Sequence, residues 1–274
     1  MDVMQENAVF ARNRHAIILE ALKTEGRVYC AQLARQLQVS EHTVRRDLEE
    51  LDKEGICRRV HGGAIHMPPG AKDFASRLSE SANVKEALGR ACALLLKPGA
   101  LVFIDAGTTN LAVADSLPPD ADITVVTNTP AIAMAVMAHA TVKLIMVGGL
   151  IDNTVAGALG VTALNQIRSM HFDQCVLGVC ALDPLAGASV HDYRDAEFKQ
   201  ALVAQSAEVI MAVTSDKLAS VASYRIADCQ HISHLVVQAD ETEERITPFS
   251  QKGVTIHRAS MNREQARPAG PAAD

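Results

Sequence analysis

The sequence predicts an α/β chain of two domains, a small helical unit followed by a larger domain built on a mostly parallel sheet. Three observations carry this. At 274 residues the chain has room for about two domains of roughly 150 residues each. Its texture changes near residue 70, from short amphipathic helical stripes to helix-length stretches alternating with short apolar runs, which is the pattern of βαβ units. Apolar residues make up 48% while aromatics are only 3% and Trp is absent. A core of Ala, Val, Leu and Ile suits helices packed on a parallel sheet better than an aromatic-rich sandwich.

In the first domain, Ile17, Ile18, Ala21 and Leu22 form one apolar stripe, and Leu33, Ala34 and Leu37 form a second, with Gly26 between them. A third stripe, Val44, Leu48 and Leu51, follows Ser40, whose hydroxyl can cap the helix start, and it ends before Gly55. The run QLARQLQVSEHTVRRDLEELDKEG therefore reads as a short helix, a tight turn at Gln38 and Val39, and a capped second helix. That is the helix-turn-helix arrangement, whose second helix enters the major groove of DNA. At about 100° per residue, His42, Arg46 and Glu49 point away from the apolar stripe and Thr43 and Arg45 flank them. His42, Thr43, Arg45 and Arg46 thus face base edges and phosphates, whereas Asp47 lies near the core edge and suits pairing with an arginine. ICRRVHGGAI follows, and its Arg58 and Arg59, extended before a Gly-Gly turn, look like a wing laid along the DNA backbone, so that two arginine pairs converge on one surface.

Net charge does not contradict this. The formal charge is −6, yet residues 1–66 hold 10 basic and 10 acidic residues, so the acidic excess belongs to the rest. A DNA-binding surface must be local. The segment HMPPGAKD then reads as a linker. The resulting boundaries are a DNA-binding domain at 1–65, a linker at 66–76, an α/β domain at 77–258 and a flexible tail at 259–274.

In the α/β domain, strand LVFID leads into AGTTN, a Gly and two hydroxyl residues opening a helix, which aims backbone N–H groups and hydroxyls at one spot. An anion fits there. Neither G-x-G-x-x-G nor the P-loop lysine pattern is present, so a small phosphorylated ligand suits the loop better than a dinucleotide or nucleoside triphosphate. Thr127 and Asn128 after ITVV, and Gly148 and Gly149 after IMV, end two further strands. In open parallel sheets such strand ends form the ligand crevice.

The string VSEHTVRRDLEELDKEG with RRVHGGA resembles the DNA-binding domain of the DeoR family of bacterial sugar-metabolism regulators across some 50 residues. The resemblance implies a winged helix-turn-helix, with DNA roles at Thr43, Arg45, Arg46, Arg58, Arg59 and His61 beside the capping Ser40 and His42. Asp105-Ala-Gly-Thr-Thr, Thr127-Asn128, Gly148-Gly149 with Gly157 beyond, Lys199 and Lys217 resemble that family's effector domain over residues 77 to about 240. That domain is similar in fold to ribose-5-phosphate isomerase and binds a phosphorylated sugar or related metabolite. By resemblance, Gly107, Thr108, Thr109 and Lys217 hold the phosphate, Asp105, Asn128 and Lys199 meet sugar hydroxyls or line the pocket, and Arg77, Asn83 and Lys85 match the family pattern at its approach. Two positions depart from the pattern: Thr214 stands where the family has the Asp of Asp-x-x-Lys, and Ala181 where a Gly is common.

An isomerase with an accessory DNA-binding domain is the alternative. Isomerisation needs a carboxylate base and donors for an enediolate oxygen, and CVLGVCALDPLAG lacks the paired acids of the resembling isomerases, with Asp183 read as a loop acid and Glu197 as a solvated helix acid. No enzyme activity, cofactor or metal is expected. The remaining histidines lack metal spacing, and the six cysteines include no C-x-x-C pair, which suits a reduced setting. With no signal pattern and no apolar run of about 18 residues, a cytoplasmic protein away from membranes is expected. The reading is a repressor of a carbohydrate operon, acting as a homo-oligomer on double-stranded operator DNA, whose effector repositions residues 66–80 and with them the reading helices.

Overall fold

The structure, a computed structural model, describes residues 3–67 and 73–260. The first unit runs α1 (Val3–Glu25), β1 (Arg27–Tyr29), α2 (Cys30–Leu37), α3 (Glu41–Lys53), β2 (Cys57–Val60) and β3 (Gly63–His66). Gln38 adopts a left-handed conformation at φ 54°, which turns the chain between α2 and α3. Ser40 Oγ accepts from Thr43 N at 3.1 Å and caps α3. Ile18, Leu22, Leu33, Val44, Leu48 and Leu51 form the core, while Ile17, assigned to the first stripe, faces solvent. β1 was not legible as a strand. Three residues are too few for a periodicity signal, and they are extended because they pair antiparallel with β3 to complete a sheet of order β1-β3-β2.

Asp47 is buried and accepts from Arg14 Nε at 2.8 Å and Nη2 at 2.9 Å, tying α3 to α1. This is the partner expected from its place at the core edge.

The second unit contains α4 (Phe74–Leu78), α5 (Ala82–Ala93), β4 (Leu101–Ile104), α6 (Thr108–Asp115), β5 (Thr124–Thr127), α7 (Pro130–Val136), β6 (Lys143–Met146), β7 (Leu150–Asp152), β8 (Gly157–Leu159) and α8 (Val161–Arg168). It continues through β9 (Phe172–Val176), β10 (Ala181–Asp183), β11 (Gly187–Val190), α9 (Tyr193–Ala204), β12 (Ser206–Ala212), β13 (Tyr224–Ala227), β14 (His234–Gln238), α10 (Glu243–Ser250) and β15 (Thr255–Ala259). Seven parallel strands form the central sheet in the order β15-β14-β12-β9-β4-β5-β6. From β4 the chain builds outward through β5 and β6, and from β9 it builds the other way. The order reverses between β4 and β9, the point where such sheets leave a crevice. One apolar layer gathers Phe103, Phe172 and Phe198, and the other gathers Leu88, Val102, Ile104 and Val113.

Three boundaries move. His66 is the last residue of β3, residues 74–76 lie in α4, and Ala259 pairs with Gln238 at the end of β15 instead of starting the tail. Strand pairing, invisible to local composition, sets all but the α4 edge. Linker residues 68–72 and tail residues 261–274 lie outside the described residues. Among the described residues no helix is long and apolar enough to cross a membrane.

Replacing Asp47 by Ala removes two charge-assisted bonds from a buried acceptor and strands Arg14. We expect a loss of about 1.5–3 kcal/mol, read as a lower urea midpoint for the first unit, with the more exposed Asp52→Ala as the neutral control.

Candidate functional site

On the first unit, the outward face of α3 carries His42, Arg45 and Arg46, all exposed. Each arginine is held by a glutamate on the same helix, Arg45 to Glu41 at 2.9 Å and Arg46 to Glu50 at 3.5 Å, and Arg59 of the hairpin approaches Glu49 at 3.8 Å. Exposed pairs of this kind contribute about 0–1 kcal/mol, so an incoming phosphate can replace the glutamates cheaply. Arg45, Arg59 and His61 line one groove between α3 and the β2–β3 hairpin, and His42, Arg45 and Arg46 line the next. Arg58 departs from the expected convergence. Successive strand residues face opposite sides, so Arg58 points away from the face on which Arg59 meets α3. Thr43 is partly occupied at home, its hydroxyl hydrogen-bonded to Ser40 Oγ at 2.9 Å within the cap.

On the second unit, a cavity of about 230 Å³ opens at the reversal point of the sheet. The start of α6 (Gly107, Thr108, Thr109) forms one wall and Gly178, Val179 and Cys180, following β9, form the next. Asp195 and Lys199 of α9, then Asp216 and Lys217, close the far side, and Arg77 of α4 reaches in from the approach. The floor is ionic. Buried Lys199 lies between Asp105 and Asp195, bonded to Asp105 Oδ2 and 3.2 Å from Asp195 Oδ1. The other contact of Asp105 Oδ2 is the Gly178 amide at 2.9 Å, and a side chain at residue 178 would strike the Ala106 carbonyl. Thr109 Oγ1 is buried with no hydrogen-bond partner among the described residues. Lys217 donates to the Val179 carbonyl at 2.8 Å, joining two walls of the cavity. The volume suits a small metabolite.

Residues 14–68 match the model of the DeoR-like helix-turn-helix domain, and residues 80–239 match that of the DeoR C-terminal sensor domain. The chain belongs to the DeoR family. It is 31% identical over 206 residues to the glycerol-3-phosphate regulon repressor of Escherichia coli K12, covering 74% of this chain and 81% of that one. It is 29% identical over 250 residues to the transcriptional repressor GlcR of Bacillus subtilis 168, covering 90% and 96%. Among solved structures, ribose 5-phosphate isomerase A of Neisseria gonorrhoeae superposes with a TM-score of 0.37 at 8% identity, over 53% of this chain and 55% of that chain.

In this DeoR-family protein the structure gathers Gly107, Thr108, Thr109, Lys199 and Lys217 on one cavity, with Asp105 directly beneath. Thr127, Asn128, Gly148 and Gly149 are elsewhere. The β7–β8 hairpin folds over the ends of β5 and β6, where Ala158 N donates to the Asn128 carbonyl at 2.7 Å and Asn128 Nδ2 returns a bond to Ala158 O at 3.2 Å. Thr127 Oγ1 accepts from Thr129 N, and the Gly148 backbone is bound by Gln166. Asn128 thus holds the hairpin, while the backbone of Gly148 is tied to Gln166 of α8.

Asp195, Asp216 and His191 line the cavity without having been singled out. The Asp195–Lys199 spacing of four on one helix was the available signal. Near the departure at Thr214, Asp216 lines the cavity beside Lys217. Asp183 is no loop acid. It is fully buried in β10, whereas Glu197 is exposed as expected.

Burial pushes the Asp195 carboxyl up to about 6, with Lys199 pulling it down and Asp105 pushing it up. Burial disfavours the Lys199 charge, but the flanking carboxylates hold its ammonium above the ordinary lysine value. An acid raised in the folded state binds its proton more tightly there than in the unfolded chain, so its contribution to stability declines as pH climbs from about 4 to about 6. Urea unfolding across that window is expected to show this decline in the wild type and a flatter profile in Asp195→Asn.

Proposed function

We propose that this protein is a transcriptional regulator that binds duplex operator DNA through α3 and the β2–β3 hairpin, and whose DNA affinity is set by a phosphorylated sugar or related metabolite in the cavity. The observation that carries the effector half is a set of donors around the start of α6: Arg77 and Lys217 line the cavity beside the free N–H groups of that helix start, where an anion is favoured, and the unpartnered Thr109 hydroxyl adds a donor. Burial lowers the ammonium pKa of Lys85 and of Lys217; neighbouring cations lower them further, while Asp216 raises both, Glu80 that of Lys85 and Cys180 that of Lys217. Asp105, Asp195 and Lys199 then sit where sugar hydroxyls would lie.

The names of its relatives support repression of a sugar or sugar-phosphate operon. A two-fold operator needs two reading helices about one DNA turn apart, which supports a homo-oligomer. The isomerase reading loses its candidate bases, since Asp183 is committed to Arg27 and to the Leu185 and Ala186 amides, and Glu197 faces solvent.

Two outcomes follow. Lys217→Ala should abolish thermal stabilisation by phosphorylated sugars, a mass-action effect of about 2.7 kcal/mol at a hundredfold excess over Kd, and should make operator binding in a gel-shift assay unresponsive to them. A lowered unfolding midpoint without ligand would mean misfolding. Arg46→Ala should weaken operator binding by about 1–3 kcal/mol and relax the preference at one base pair if it reads a guanine. Uniform weakening across sequences, with a shallower salt dependence, would instead place Arg46 on a phosphate.

A further inference from the structure

The cavity and the DNA-binding unit are joined by more than the linker. Two cavity walls run on, within a few residues, into the surface on which that unit sits. The first is the wall Gly178–Cys180, which continues into β10 and ends at Asp183. Asp183 Oδ1 accepts from Arg27 Nη2 of β1 at 2.9 Å, and Oδ2 accepts from the same nitrogen at 3.1 Å. The second follows Lys217. Leu218 bridges to Leu182, Ser220 bridges to His66, and Val221 N donates to the His66 carbonyl at 3.0 Å. Between them Ala219, in a left-handed conformation at φ 53°, meets Gly26 so closely that a Cβ there would overlap the Ala219 carbonyl and side chain. Lys217 itself ties the walls together through the Val179 carbonyl.

We propose that the Arg27–Asp183 ion pair and the Leu218–Val221 segment form a latch that transmits the state of the cavity to the DNA-binding unit. This rests on the reading of the cavity as the effector site. An anion that draws Lys217 away from Val179 removes the tie at the cavity end and leaves the walls joined at the Leu218–Leu182 bridge, and Leu218 to Val221 move with Lys217 because Ser220 Oγ is bonded to the Lys217 carbonyl at 2.8 Å. The winged unit is held by both walls, so a relative shift of the two rotates it. Buried Asp183 has Arg27 as its cationic partner, and Gly26 meets Ala219 with no room for a side chain. A packed interface of this kind switches between arrangements instead of deforming smoothly.

Amide hydrogen exchange of the full-length chain tests this, because the Val221 amide reports the docking bond directly. In Arg27→Met and Asp183→Asn, Val221 should exchange about tenfold faster than in the wild type while β4 amides are unchanged. Should Asp183→Asn loosen β4 as well, Arg27→Met, which lies on the other unit, decides. Inorganic phosphate at millimolar concentration should slow exchange at Thr108 and Thr109 in all three proteins, and should alter exchange at Arg27–Tyr29 in the wild type only. Unchanged Val221 exchange in Arg27→Met overturns the latch. So does a response at Arg27–Tyr29 that survives in both variants. Phosphate that protects nothing near Thr108 overturns the cavity reading and the transmission with it, even where the Val221 result upholds the dock.

Discussion

Three charges buried together, Asp105, Lys199 and Asp195, fix where everything else in the larger domain must go. A buried ammonium is tolerated only when it is paired and hydrogen-bonded, and here its partners come from the residue after β4 and from its own helix α9. That requirement pins α9 over the ends of the central strands. It also sets the floor of the cavity and leaves Gly178 no side chain, because its amide must reach Asp105. Removing one carboxylate would leave Lys199 under-compensated, which is why the triad serves as framework and chemistry at once.

The same economy appears at the other end of the chain. The arginines of α3 are held by neighbouring glutamates in weak exposed pairs, while Asp47, on the buried side of the same helix, is clamped by Arg14. One helix thus separates its strong, structural electrostatics from its weak, exchangeable electrostatics by which face each residue occupies. A surface that is neutral overall can bind a polyanion this way, since the glutamates yield to phosphate at little cost.

Much of the candidate site was legible from residues in sequence. The helix-turn-helix followed from three stripes and a cap, and the AGTT turn after an apolar strand pointed to one wall of the cavity. What misled was treating every polar strand end as part of the crevice. Thr127-Asn128 and Gly148-Gly149 carry the right residue types at the right places, but the β7–β8 hairpin, only three residues per strand, bonds Asn128 and Gln166 of α8 takes the Gly148 backbone. Short antiparallel ribbons give almost no periodicity signal. Arg58 and Arg59 show a second limit: adjacency in a strand places two side chains on opposite faces, so a charged pair in sequence became a single contact in space.

The sequence by itself determined the domain order, the second helix of the helix-turn-helix and its outward residues, and the Gly107–Thr109 turn that lines the cavity, because each depends on contacts within a few residues of one another. Tertiary structure decided which strand ends remain open, since that depends on where the sheet order reverses between β4 and β9. It also decided that Asp183, an unremarkable acid in a loop-like stretch, is the buried partner of an arginine 156 residues away. Pairings at that separation are selected by the packed fold, and no local pattern encodes them.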